Sequence, residues 1–326
     1  MVDWSDRRIY KMKHSENHIC IVGCGAIGAL YGGKLAQVGY KVDVIARHET
    51  DEIAKLGIRI ESVWGSFNFK PNAVFSKIED CSNQYDIVLV AVKALPQHQS
   101  EAFVKSVGRL LKPNSAIFVI QNGLNSELPY AKYLPTHSII GGLAFVCSNR
   151  ISPRLVHHID YGRLVLALYS GSGEILNSLI EAFTEAGVPV KSTANLIEAR
   201  WSKLIWNIAF NPLSVICDSA TTKQLLEMPE TAALCRALMT ETVQVAEHIG
   251  IHLPEGIIDR NMNDTLSMPA YKTSMLLDYE ANRPMEIEAI VGELLRTAQA
   301  NSLEVPHIST IYAILNLISA RQSSNR

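Results

Sequence analysis

Three features of this sequence could do chemistry: a glycine-rich turn, a line of polar side chains on an otherwise apolar helix, and an acid standing alone near a helix start. Gly23-Cys24-Gly25-Ala26-Ile27-Gly28 has the spacing GxGxxG. It closes a β-branched apolar run at 19–24 and opens a helical stretch at 26–37, the position at which such a turn binds a dinucleotide. Gly23 permits the tight turn, Gly25 lets a pyrophosphate approach the backbone, and Gly28 lets helix and strand pack closely. The helix N-terminus that begins at Ala26 and Ile27 then offers free N–H groups to the phosphates. A strand-to-helix turn without a ligand has the same spacing.

The second strand, 41–46, ends in Arg47-His48. An NAD site places Asp or Glu there for the ribose 2′-hydroxyl, and Asp43 comes a few residues early. Arg47 is a planar cation suited to a 2′-phosphate, which predicts NADP rather than NAD; read blandly, it is a solvated loop residue. Lys93 follows a strand at 86–92 and Asn122 one at 115–120. In open parallel sheets ligands lie outside these carboxyl ends, although solvated residues gather there too.

The segment 198–217 is mostly apolar, yet Lys203, Asn207 and Asn211 recur every four residues. On a helix they fall within an arc of about 80°, and Ser214 continues the line. Pro212 is expected to kink the helix nearby. Asparagine is a poor helix former, so two of them on one line call for a reason. A single cation flanked by amides suits a site for an anionic, oxygen-rich small molecule, the alternative being a solvated face. Ser274 opens a later helical segment, and Glu286 follows Arg283-Pro284; alone, Glu286 reads as a residue complementing a helix dipole.

The elements that position these residues fall into two blocks. Strand patterns at 19–24, 41–46, 58–63, 86–92, 115–120 and 139–144 alternate with helical ones, which predicts βαβ units and a parallel sheet covered on both faces. Runs at 155–160 and 163–168, split by Tyr161-Gly162, read as a hairpin closing this block. A helix at 174–187 and a short run at 188–191 follow. Beyond 195 the patterns are helical, at 196–217, 231–249, 255–266, 270–281, 286–301 and 306–320, punctuated by Gly250, Pro254, Pro269, Pro284 and Pro306. The 326 residues thus read as a polar N-terminal extension (1–17), an α/β Rossmann-type N-terminal domain (18–194) and an all-α C-terminal domain (195–326).

Composition narrows the function. With 48% apolar and 19% charged residues the chain can bury a core. Thirty Lys and Arg against 32 Asp and Glu leave a formal charge of −2, too balanced for a nucleic-acid partner. No apolar run approaches the ~20 residues of a membrane helix. The six cysteines contain no CxxC pair and the ten histidines no HExxH, so reduced thiols, a cytoplasmic location and no metal site are expected. The apolar helical domain is compatible with a homodimer as well as with packing inside one chain.

GCGAIG at 23–28, Arg47, VKA at 92–94, QNG at 121–123, WSKLIWNIAFNPL at 201–213 and TSMLLDYEANRPMEIEAIVGE at 273–293 occur in the order found in ketopantoate reductases (2-dehydropantoate 2-reductases). The chain resembles that family from Ile19 to about Ile318. The resemblance implies NADPH-dependent reduction of a small anionic 2-oxo acid, with Lys203 as general acid and Glu286 close to it, bonding the substrate hydroxyl and helping to keep the lysine charged. It implies that Asn207, Asn211 and Ser274 orient the substrate, and that Lys93 and Asn122 contact the cofactor. The helical domain becomes the substrate and catalytic domain. The chain departs from the family at Thr273, Leu277, Glu288 and Val291, which leaves room for another 2-oxo acid as substrate. A nucleotide-binding regulator without catalysis is the alternative of a different class.

Overall fold

The computed structural model of the chain describes residues 17–324; residues 1–16, nearly all of the expected N-terminal extension, lie outside the described residues. Contacts divide the chain into two units. The first contains the described residues up to Lys93, Gln97–Gln121 and Asn125–Leu196. The second contains Ala94–Pro96, Asn122–Leu124 and the described residues from Ile197 onward.

The first unit runs β1 (His18–Val22), α1 (Ala26–Gln37), β2 (Lys41–Ile45), α2 (Thr50–Leu56), β3 (Ile58–Ser62), β4 (Phe67–Phe69), β5 (Val74–Phe75), β6 (Tyr85–Val90), α3 (Glu101–Gly108), β7 (Leu111–Val119), α4 (Leu128–Tyr133), β8 (Ser138–Ser152), β9 (Leu155–Ser170), α5 (Glu174–Glu185) and β10 (Val190–Ser192). All the strands join one ten-stranded sheet in the order β4-β3-β9-β8-β7-β6-β1-β2-β5, with β10 beside β9. β1 pairs in parallel with β2 on one side and β6 on the other. Chain order therefore reverses at β1, and the carboxyl ends of β1 and β6 flank the switch point at which doubly wound sheets bind ligands.

The apolar runs of these strands follow from two-sided burial. In β1, Ile19 and Ile21 join one core and Cys20 and Val22 another. In β7, Ala116 and Phe118 go to the first core and Ile117 and Val119 to the second. With both faces covered, no alternation with polar residues is needed.

The sheet is not wholly parallel, because β8 and β9 pair antiparallel, as do β3 and β4. Residues 155–160 and 163–168 are not two arms of a hairpin. They form one strand, β9, in which Tyr161 (φ 58°) and Gly162 (φ 112°) make a bulge where the register with β8 shifts at Phe145/Val146. The hairpin is β8–β9 itself, turning at Pro153-Arg154. A Tyr-Gly pair with positive φ serves a bulge as readily as a turn, and the pattern alone does not tell them apart.

The second unit is helical: α6 (Leu196–Ile216, with Leu196 itself in the first unit), α7 (Thr222–Glu227), α8 (Pro229–His248), α9 (Ile257–Ser267), α10 (Ser274–Glu280), α11 (Glu293–Ala300) and α12 (Pro306–Ser324). Trp201, Leu204, Ile205, Ile208 and Phe210 of α6 lie in its apolar core. Pro212 sits within the unbroken span of α6. The helix expected at 286–301 is two pieces, because Glu288–Gly292 is a π turn that runs into α11. The α/β plus all-α class stands. No helix among the described residues is long and apolar enough to cross a membrane.

Asp43 shows how the first unit places a charge. Its carboxylate is fully buried and accepts hydrogen bonds from Asn72 Nδ2 (2.6 Å), Tyr85 Oη (2.9 Å) and Asn83 Nδ2 (3.3 Å), with His18 Nε2 at 2.9 Å. These partners tie β1, β2 and β6 to the loops beside β5 and β6, and they commit Asp43 to structure. Removing a buried carboxylate strands every donor around it. Asp43→Ala should therefore lower unfolding stability by about 2–4 kcal/mol. Arg47→Ala, at an exposed position two residues beyond β2, should change it by less than about 0.5 kcal/mol. Urea unfolding of both variants checks the contrast.

Candidate active site

In the first unit, Gly25 is the N-cap of α1, in an extended conformation and with no side-chain cap. A Cβ on Gly23 would lie 2.6 Å from Val92 N, and one on Gly28 would lie 2.2 Å from Gly23 O. The fold itself requires both glycines. A Cβ on Gly25 would meet nothing within 4 Å, so that position faces open space. The first turn of α1 contains no acid, and its leading N–H groups have no intrahelical acceptor. This cradle fits the pyrophosphate of a dinucleotide.

Around it, Gln121 Nε2 donates to Val92 O at 2.9 Å, joining the ends of β6 and β7. His98 Nδ1 lies 2.8 Å from Lys93 O, and the Lys93 side chain is half-buried. Arg47 is exposed beyond β2, while Asp43, the acid that comes early in that strand, is locked in its buried cluster. Arg150, which no motif in the sequence singles out, donates to the carbonyl of Cys24 within the glycine turn. It lies near the end of β8, more than a hundred residues from the turn, and no local spacing reveals it.

The second unit contains a continuous polar chain. Lys203 Nζ donates to Asn122 Oδ1 at 2.9 Å, and Asn122 Nδ2 donates to Glu286 Oε2 at 3.0 Å. The backbone N–H of Ala94 donates to Glu286 Oε1 at 2.8 Å. Both ends of the Asn122 amide are thus used, one toward a cation and the other toward a carboxylate. Glu286 is buried immediately before the helical residue Ile287, and its main-chain carbonyl accepts from Ile290 N. Its side chain points to Asn122 and Ala94, so it is more than a dipole complement.

Asn207 and Asn211 are buried along the same line of α6. The Asn211 side-chain oxygen is buried with no hydrogen-bond partner among the described residues, which is the signature of an acceptor awaiting a donor. Ser214 serves the fold, since its hydroxyl donates to Asn211 O (2.9 Å) and lies 2.7 Å from Thr273 Oγ1. Thr273 caps α10 by accepting from Leu276 N, and Ser274, the next residue, is exposed. Of the residues expected at the site, hydrogen bonds link Lys203, Asn122 and Glu286, with Asn207 and Asn211 further along the Lys203 helix.

Arg200 is a residue of α6 that the four-residue spacing of Lys203, Asn207 and Asn211 does not include. It is buried, and its Nη1 donates to Gly123 O at 3.1 Å. Three residues before Lys203, it falls about 60° round the helix, inside the polar arc. Extending the stripe one turn toward the N-terminus would have found it.

The Lys203 ammonium is held down to about 8, first by burial and then by the like charge of Arg200, with Glu286 acting in the opposite direction. A pKa near neutrality suits a group that must release a proton at neutral pH. A lysine held in that range can exchange a proton near neutral pH.

Two family profiles cover most of the chain: Ketopantoate reductase PanE/ApbA over residues 19–171 and Ketopantoate reductase PanE/ApbA C terminal over 195–319. A 2-dehydropantoate 2-reductase of Nostoc sp. is 32% identical over 318 residues, covering 96% of this chain and 98% of the relative. The crystal structure of 2-dehydropantoate 2-reductase from Methylococcus capsulatus is 37% identical, with a TM-score of 0.84 over 94% of this chain and 98% of that one. A ternary structure of D-mandelate dehydrogenase with NADH and anilino(oxo)acetate is 20% identical, with a TM-score of 0.83 over 94% of this chain and 99% of that one; it shares the fold.

Because Glu286 supports the charged lysine, its neutralisation should depress Lys203 further. In competitive acylation followed by mass spectrometry, Lys203 of the native chain should become reactive with a midpoint at about pH 8. In Glu286→Gln the midpoint should move to lower pH. A midpoint in the ordinary lysine range, or an upward move in the variant, would contradict this account of the site.

Proposed function

The chain belongs to the ketopantoate reductase family and is an oxidoreductase, and from that premise we propose that it catalyses the NADPH-dependent reduction of 2-dehydropantoate (ketopantoate) to pantoate in pantothenate biosynthesis. The observation that supports the reading most is the hydrogen-bonded chain Lys203–Asn122–Glu286, whose lysine sits on the helix that also carries the unpaired acceptor of Asn211. Bound NADPH supplies a hydride to the keto carbon. All other steps belong to side chains and backbone of this chain.

The turn Gly23–Gly28 binds the pyrophosphate through the N–H groups at Ala26, Ile27 and Gly28, and Arg47 pairs with the 2′-phosphate that distinguishes NADP from NAD. Lys93 and Asn122 complete the cofactor contacts at the strand ends. As the keto carbon gains the hydride, the carbonyl electrons move to its oxygen and Lys203 donates a proton to that oxygen. Asn207, Asn211 and Ser274 orient the substrate; the open acceptor on Asn211 suits a substrate hydroxyl. Glu286 accepts from the substrate hydroxyl with lone pairs left over from Ala94 N and Asn122.

Asn122 acts in the proton transfer as well. A direct lysine–carboxylate contact would stabilise the ammonium and make it a poorer acid. The neutral amide between them keeps the carboxylate close enough to help, without locking the proton.

Purified protein with NADPH and a panel of 2-oxo acids that includes ketopantoate tests the activity; absence of NADPH oxidation with all of them would overturn it. Lys203→Ala should lose about 10²–10⁴-fold in kcat while still binding NADPH. Since the reduction needs the protonated lysine, its rate should be level below the Lys203 pKa of about 8 and decline above it. Arg47→Ala should weaken NADPH and leave NADH nearly unchanged, and equal effects on the two would refute the NADP assignment.

A further inference from the structure

We infer that Arg200 is a positioning residue for the proton transfer: it clamps the loop Asn122-Gly123-Leu124 so that the Asn122 amide stays between Lys203 and Glu286. The inference rests on the reading of Lys203 as the general acid.

A guanidinium buried to 6% exposure is costly unless it is well bonded, and one turn from a lysine it adds like-charge repulsion. Such a placement needs a return elsewhere, and Gly123 O, 3.1 Å from Arg200 Nη1, provides it. Gly123 lies directly after the residue whose amide bridges acid and carboxylate.

The other side of the same loop is held by the π turn. Glu293 N bonds Glu288 O, the i to i+5 step that defines the turn, while Ala289 O accepts from Leu124 N at 3.3 Å. Gly123 is pressed against that carbonyl, with φ 88° and a hypothetical Cβ only 2.3 Å from Ala289 O. The Gly123–Leu124 peptide group is thus gripped from opposite sides, its carbonyl by Arg200 on α6 and its N–H by Ala289 after Glu286. The two elements that hold it are those that carry the acid and its carboxylate. Loop position and site geometry are set together.

Arg200 also acts on the acid through space. The charged groups that act on Lys203 are Arg200 on its own helix and Glu286 from the segment before the π turn, and they oppose each other. Arginine suits both roles, because its planar fork can bond a carbonyl at a fixed angle while its charge is permanent.

Three variants of the full chain separate the two effects. Arg200→Gln keeps a donor but removes the charge, Arg200→Lys keeps the charge but loses the fork, and Arg200→Met removes both. Arg200→Met should lower kcat by roughly 10- to 100-fold, a larger effect than any loss of NADPH affinity passed on through Asn122. In Arg200→Gln and Arg200→Met the acylation midpoint of Lys203 should rise by on the order of one pH unit, carrying the basic limb of the pH–rate profile with it. In Arg200→Lys the midpoint should stay while kcat falls. In a Lys203→Ala background, Arg200→Met should cause little further loss.

Variants that fold and bind NADPH with native kcat and a native Lys203 midpoint would overturn the inference. So would a loss seen only as lower thermal stability, or a loss just as large in the Lys203→Ala background. If Arg200→Met does not fold, the Gln and Lys variants decide by the same readouts. Failure of the acid reading shows separately, as native kcat in Lys203→Ala alone.

Discussion

An ammonium, a guanidinium and a carboxylate are collected in the second unit with little water to solvate them, and the arrangement around them answers that electrostatic demand. The Asn122 amide is the part that makes it tolerable. Its oxygen accepts from Lys203 and its nitrogen donates to Glu286, so both charges are hydrogen-bonded without touching each other. An amide is neutral, yet it can face a cation with its oxygen and an anion with its N–H group. Arg200 and the carbonyl of Ala289 hold the loop that carries it. A π turn is suited to this, because widening the helix by one residue frees a carbonyl for a bond outside it.

The first unit solves a different problem, a backbone cradle that must stay open at one point. A Cβ would collide with Val92 at Gly23 and with the Gly23 carbonyl at Gly28, whereas at Gly25 it would meet nothing within 4 Å. The rigidity comes from strands buried on both faces, and the donors clustered on Asp43 secure the same sheet. An acid at the end of β2 would suit a ribose, but Asp43 lies in the middle of the strand. Here it serves the fold, and the exposed position beyond the strand belongs to Arg47.

Ala94–Pro96 and Asn122–Leu124 follow β6 and β7 in the chain yet belong by contact to the helical unit. Strand ends that would ordinarily serve only the sheet thus supply an N–H group to Glu286 and an amide to Lys203 and Glu286. Asn122, expected near the cofactor from its strand-end position, is bonded in the folded chain to Lys203 and Glu286.

The α/β and all-α classes, the glycine turn and the polar line on α6 are legible in the sequence, because each is a local pattern with a fixed spacing. Continuous apolar runs declare strands buried on both faces, and a 3.6-residue repeat places Lys203, Asn207 and Asn211 on one side of a helix. Tertiary structure alone decided that Tyr161-Gly162 is a bulge, since a left-handed residue pair is compatible with either a turn or an extra residue in a strand. It alone decided that Asp43 is buried and that Arg150 reaches Cys24. It also revealed the Lys203–Asn122–Glu286 chain, whose members lie more than eighty and more than one hundred and sixty residues apart. Periodicity says which side of an element a residue occupies; what it meets there depends on the packing of distant segments, which no spacing within one element encodes.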